Sequence, residues 1–121
     1  MLVADDDPGM RRLVRAVLGD DRYQLLEAAN GQEAWQLISL HHPPVVVLDW
    51  EMPFHTGIEL AAVIKGDPLL DGTHLVMVTS RSATRDLEDA EEVGVDVYLT
   101  KPFSAAALLA AVERAFGFSS P

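Results

Sequence analysis

The chain has 121 residues, 49% of them apolar, no cysteine and a formal net charge of −10. That length holds one domain with a real core, placed here over residues 1–121. No apolar run is long enough to span a bilayer, and Met1-Leu2-Val3 leads straight into acids with no signal peptide between. Without cysteine there are no disulfides and no thiolate metal sites, which suits a cytoplasmic protein. The negative charge serves solubility and disfavours direct nucleic-acid binding, because phosphate contacts need clustered Lys and Arg.

Leu2 to Ala4 reads as a short buried strand. Asp7 is placed as an N-cap and Pro8 at the first helical position, where its missing N–H costs nothing. Met10, Leu13, Val14, Val17 and Leu18 follow at helical spacing, with Arg11, Arg12 and Arg15 on other faces. Gly19-Asp20-Asp21 ends that helix. Tyr23 to Glu27 predicts a second strand. Asn30 then caps a helix over 31–40 whose apolar side is Ala34, Trp35, Leu37 and Ile38. His41-His42-Pro43-Pro44 reads as a breaking loop.

Val45 to Leu48 is continuously apolar and mostly β-branched, as a central parallel strand buried on both faces requires. A loop over 50–57 contains Pro53 and Gly57, and a helix over 58–65 closes at Gly66-Asp67-Pro68. His74 to Thr79 predicts a fourth strand, and Ala83 to Val93 a helix ended by Gly94. Val95 to Thr100 predicts a fifth strand. Ser104 caps a last helix with Leu108, Leu109, Val112 and Phe116 as its stripe, and Gly117 to Pro121 is expected to fray. This alternation means an α/β fold with a parallel sheet and right-handed crossovers.

In such a sheet, ligands lie outside the carboxyl ends of the strands. Asp5 and Asp6 end the first strand, Asp49 the third, Thr79 the fourth, and Thr100-Lys101 the fifth. Singly, each has an ordinary reading: a solvated turn, a strand terminus, a loop lysine. Their joint placement on one edge is what points to chemistry. Two carboxylates about 4 Å apart repel by roughly 4 kcal/mol at an effective dielectric of about 20, and one ammonium does not offset three acids. An all-oxygen donor set selects Mg2+, with Mn2+ as the alternative, over zinc. With that charge neutralised and Thr79 offering a hydroxyl, a carboxylate is able to attack phosphorus in line.

Four stretches carry a family resemblance: Val3-Ala4-Asp5-Asp6-Asp7, Leu48-Asp49-Trp50-Glu51-Met52-Pro53, Val78-Thr79-Ser80, and Tyr98-Leu99-Thr100-Lys101-Pro102-Phe103. In order and spacing they resemble the receiver domains of two-component response regulators, over essentially the whole chain. The resemblance implies a flavodoxin-like, doubly wound, five-stranded parallel sheet in the order 2-1-3-4-5 with five helices. It implies Asp49 as phospho-acceptor, Asp5 and Asp6 as Mg2+-binding acids, and the main-chain carbonyl of Glu51 as a further ligand. Thr79 and Lys101 would contact the phosphoryl group, and Tyr98 would be an aromatic switch that turns inward. Lys101-Pro102 is often cis in such proteins. The implied donor is a phosphohistidine on a sensor histidine kinase or phosphotransfer protein, and the implied output is an unspecified downstream protein or domain. Thr56 stands before Gly57 where an Asp is frequent, which alters the loop rather than the chemistry. The chain is expected to be a stand-alone regulator or an excised domain, and a signalling module that phosphorylates and dephosphorylates only itself.

Two further expectations concern particular residues. Glu51 lies two residues past Asp49, and Arg81 two past Thr79, which leaves two readings: they pair over the site and restrict attacking water, or both are solvated surface residues. The helix over 83–93 has a thin stripe (Ala83, Leu87, Ala90) and acids toward its C-terminus, which the macrodipole disfavours. Two readings stand for it: a lightly anchored, moving part, or an ordinary solvated face. Trp50 is expected to cover the pocket edge, His55 to face solvent, and His74 to begin a strand. Three other functions compete. A haloacid-dehalogenase-like phosphohydrolase would need its nucleophile on the first strand and acids after the lysine. A phosphorylation-independent receiver-like module has no need of the acid set, and a flavin-binding domain would need a phosphate loop.

Overall fold

The computed structural model describes residues 1–19 and 24–116. Five strands alternate with five α-helices: β1 (Leu2–Ala4), α1 (Pro8–Leu18), β2 (Leu26–Ala28), α2 (Gly31–His41), β3 (Val45–Leu48), α3 (Gly57–Gly66), β4 (His74–Thr79), α4 (Thr84–Val93), β5 (Val97–Thr100) and α5 (Ala105–Ala115). A 3₁₀ turn, Pro68–Leu70, joins α3 to β4. All described pairings are parallel, in the order β2-β1-β3-β4-β5. This is the flavodoxin-like doubly wound sheet.

Alternate strand residues serve opposite faces of the sheet. Leu2, Ala4, Val46, Leu48, Leu75 and Met77 pack with Ala34 and Ile38 of α2, Leu60, Ala61 and Ile64 of α3, and Ala90 of α4. Val3, Val45, Val47, Val76 and Val78 pack with Val14 and Leu18 of α1 and Leu108, Ala111 and Val112 of α5. β3 is buried throughout, which is why its sequence shows no alternation.

Several boundaries differ from the sequence expectation, each for a local reason. β2 starts at Leu26, and Tyr23 lies outside the described residues. α2 runs one residue further, to His41, because His42 adopts a left-handed conformation (φ 45°) and donates to the Ile38 carbonyl at 2.9 Å. So His41 is helical, not looped. Thr56 caps α3 and shares a capping box with Glu59, which starts that helix at Gly57. Ala83 is the N-cap of α4, not a stripe residue, and gives it no side-chain cap. Val95 still donates to the Ala90 carbonyl, so β5 begins only at Val97. Gly94 takes φ 97°, the left-handed exit glycine tolerates best. Leu13, counted toward the α1 stripe, is 44% exposed. The sequence tail, 117–121, lies outside the described residues.

Candidate functional site

β1 is an interior strand, flanked by β2 and β3. Asp5 donates its N–H to Ala28 at 3.1 Å, and Asp49 donates to Ala4 at 2.9 Å, so both acids leave the carboxyl ends of adjacent strands. Asp5, Asp6 and Asp49 each bring a carboxylate oxygen into a group whose members lie within 4.8 Å of one another. Asp5 and Asp49 are buried and Asp6 is exposed, so the cluster opens to solvent on one side. Lys101 Nζ donates to Asp5 Oδ2 at 3.0 Å and lies 3.6 Å from Asp49 Oδ1. The Lys101-Pro102 peptide is cis.

Electrostatics here follow burial. Asp49 is pushed up from 3.8 to about 6, first by desolvation and then by the charge of Asp5. Lys101 and a backbone hydrogen bond from Glu51 pull the other way without winning. Burial works against the Lys101 ammonium, but its bond to Asp5 and the charges of Asp5 and Asp49 prevail and raise its pKa. Asp5 is also pinned from the chain side. Its Oδ1 accepts the Asp7 N–H at 2.9 Å, and its carbonyl accepts from Arg11 Nη1 at 2.6 Å. Asp7 in turn caps α1 through Gly9 at 2.9 Å.

Thr79 ends β4 and is fully buried; its Oγ1 accepts the Arg81 N–H at 3.3 Å. The Thr79 carbonyl accepts from Lys101 N–H at 2.8 Å, which ties the ends of β4 and β5. Tyr98 on β5 is half-buried, and its hydroxyl donates to the Arg81 carbonyl at 2.8 Å. Arg81 Nε donates to Glu51 Oε1 at 2.6 Å, and Nη2 pairs with the same oxygen. The guanidinium also lies 4.8 Å from the centroid of the Trp50 ring and 3.5 Å from Asp86 Oδ1. Trp50, next to Asp49, is buried in the core with the Arg81 guanidinium over its ring.

The loop after Asp49 must curl back on itself. Gly57 donates to the Trp50 carbonyl at 2.9 Å, and a Cβ on Gly57 would lie 2.2 Å from the Asp49 carbonyl oxygen. Only glycine admits this approach. His55 is exposed and faces a separate groove of about 410 Å³ with Trp35, Glu59, Leu60 and Val63. None of the clustered acids, Thr79 or Lys101 lines it. The residues missed from sequence are Arg11 and Asp86. Arg11 had a readable signal, since it follows the Asp7 cap by one helical turn, which turns it back toward the strand end.

The described residues contain no helix long and apolar enough to cross a membrane. The family model for the response regulator receiver domain matches residues 1–113. The chain is 34% identical over 121 residues to the phosphate regulon transcriptional regulatory protein PhoB of Pseudomonas aeruginosa, covering 100% of this chain and 53% of that protein. It thus spans about half of that relative's length. It is 32% identical over 124 residues to a chemotaxis protein CheY homolog of Campylobacter jejuni, covering 99% of this chain and 94% of the homolog. Among solved structures, the Francisella response regulator 1452 receiver domain superposes with a TM-score of 0.88 at 28% identity, covering 98% of this chain and 97% of that one. Chemotaxis response regulator CheY4 of Vibrio cholerae superposes with a TM-score of 0.86 at 28% identity, covering 94% and 95%. With the acid cluster, Thr79 and Lys101 on one sheet edge, the chain belongs to the receiver domains of two-component response regulators.

Proposed function

We propose that this receiver accepts a phosphoryl group on Asp49 from the phosphohistidine of a sensor histidine kinase or phosphotransfer protein. The observation that carries the reading is the meeting of Asp5, Asp6 and Asp49 within 4.8 Å, with Lys101 Nζ against two of them. The donor set fits a hard divalent cation: the oxygens are carboxylates, and buried Asp49 is reluctant to ionise without added positive charge. Asp5, Asp6, Asp49 and the Glu51 carbonyl would hold Mg2+, or Mn2+ in its place. That ion supplies charge neutralisation for the carboxylates and for a phosphoryl oxygen.

The protein's own groups do the rest. An Asp49 carboxylate oxygen attacks phosphorus, the P–N bond of the phosphohistidine breaks, and the imidazole leaves with its electron pair. Lys101, already at the acids, meets developing charge on the phosphoryl oxygens. Thr79 Oγ1 accepts from Arg81, which leaves its own proton free to donate to a phosphoryl oxygen. Tyr98, tied to the same Arg81, reports that engagement to the β5 face. Glu51 and Arg81 roof the site and limit the approach of hydrolytic water, which lengthens the phosphoryl lifetime. The working compartment is the cytoplasm, and the output is a downstream protein or domain that reads this switch.

Intact mass after incubation with Mg2+ and a small acyl phosphate tests the reading. A single phosphoryl adduct is expected in the wild type and none in Asp49→Asn. An adduct that persists in that variant overturns the assignment. Faster dephosphorylation is expected in Glu51→Asn and Arg81→Ala, and unchanged lifetimes in both would remove the roof.

A further inference from the structure

The start of α4 is tied by one side chain, Arg81, that also pairs with Glu51, two residues past Asp49. Ala83 offers α4 no side-chain cap, and Ala90 is the helix's one buried residue. Leu87 is 40% exposed. The first turn is instead tied through Asp86, whose Oδ1 lies 3.5 Å from Arg81 Nη1. Arg81 spends its other donors on Glu51, and its face lies on Trp50. Its backbone joins Thr79 Oγ1 through the N–H and the Tyr98 hydroxyl through the carbonyl.

We propose that Arg81 is a positioning residue that exchanges partners: its Nη1 leaves Asp86 for a phosphoryl oxygen on Asp49 and so releases the first turn of α4. This rests on the phospho-acceptor reading. The physics lies in the unequal bonds. The Glu51 contact is short and made by two guanidinium nitrogens, whereas the Asp86 contact is long and single. A phosphoryl group brings up to two negative charges and three acceptor oxygens, and a guanidinium fork matches it. The weaker bond is the one given up, so Glu51 and Trp50 keep the guanidinium over the site while Asp86 is freed. Released, α4 retains little buried apolar surface to hold its first turn, and such segments open at low cost.

The test is amide hydrogen exchange in α4, with Mg2+ and beryllium trifluoride as the phosphoryl probe, run beside intact-mass analysis with a small acyl phosphate. In the wild type, exchange at Leu87 and Glu88 is expected to rise about two- to fivefold with the probe, the range of a single long ion pair near the surface. Asp86→Asn is expected to exchange at the raised rate without the probe and to show no further rise. Asp86→Glu, which restores the ion pair, is expected to recover both the slow rate and the response. An Asp49 adduct accompanied by unchanged α4 exchange, or by a wild-type response in Asp86→Asn, overturns the partner exchange alone. Absence of any adduct overturns the phospho-acceptor reading and this inference with it.

Discussion

Lys101 and Asp5 stand 96 positions apart in the chain, and their side chains meet at 3.0 Å. The contact joins the last strand to the first across the whole width of the site. Asp5 is 2% exposed, so its charge is held by Lys101 and by the Asp7 N–H rather than by bulk water. Lys101→Met removes the cation and leaves Asp5 and Asp49 facing each other. In metal-free protein this is expected to cost about 2–3 kcal/mol, just below the usual range for breaking a buried pair because Lys101 keeps some exposure. Urea unfolding in chelator checks it, and Mg2+ is expected to restore part of the loss.

Asp49 makes stability depend on pH with a definite sign. Its carboxyl rises from 3.8 to about 6 on folding, so the folded chain binds that proton more tightly than the unfolded chain. Stability of the metal-free protein therefore falls as pH rises from about 4 through about 6. At about 1.4 kcal/mol per unit, the full effect is about 3 kcal/mol. Asp49→Asn removes it. The variant is expected to exceed the wild type by up to that amount at pH above about 7 and to match it below about pH 4. Parallel unfolding curves for the two proteins in chelator across this window decide the point. Added Mg2+ is expected to narrow the gap by stabilising the wild type alone.

Gly57 is fixed by the return of the loop toward Asp49. Gly57→Ala sets a methyl 2.2 Å from the Asp49 carbonyl oxygen, so backbone must move. A loss of about 2–3 kcal/mol is expected, at the upper end for overpacking. Mg2+ affinity should fall with it, because the displaced backbone carries Asp49. Trp50 fluorescence during a Mg2+ titration, together with the unfolding midpoint, measures both effects.

Asp96 tests a polar knot at the other end of the sheet. Its carboxylate accepts from the Leu75 N–H at 2.8 Å and from Lys65 Nζ at 3.0 Å. Burial raises its pKa, but these bonds prevail and hold it below the ordinary carboxylate range. Asp96→Ala is expected to cost about 1–2 kcal/mol at neutral pH by stranding the Leu75 N–H. Because the folded pKa is depressed, Asp96 stabilises above the unfolded pKa, and that contribution fades as pH falls through the folded one. Asp96→Asn keeps an acceptor and should cost less. Mg2+ binding is expected to stay at the wild-type level in both.

Local pattern made most of the fold readable. The unbroken apolar run of Val45 to Leu48 marked a buried central strand, and Asp7, Asn30 and Ser104 marked helix starts that carry side-chain caps. Where a start lacked a capping side chain, as at Ala83, the boundary slipped by a residue. Ends closed by backbone conformation slipped as well. His42 turns left-handed and Val95 still bonds into α4, and neither residue type announces that.

Sequence alone determined which acids lie on one edge, since a parallel α/β chain with short connections delivers every strand's carboxyl end to the same side. Asp5, Asp6, Asp49, Thr79 and Lys101 needed only that rule. Tertiary structure decided which of these groups touch and what else joins them. It set Lys101 on both Asp5 and Asp49, aimed Arg11 at the Asp5 carbonyl, and laid Arg81 over Trp50 between Glu51 and Asp86. Spacing is a local property with a period of two or about 3.6. Contacts between elements depend on sheet twist, loop path and rotamer, and no one segment carries them.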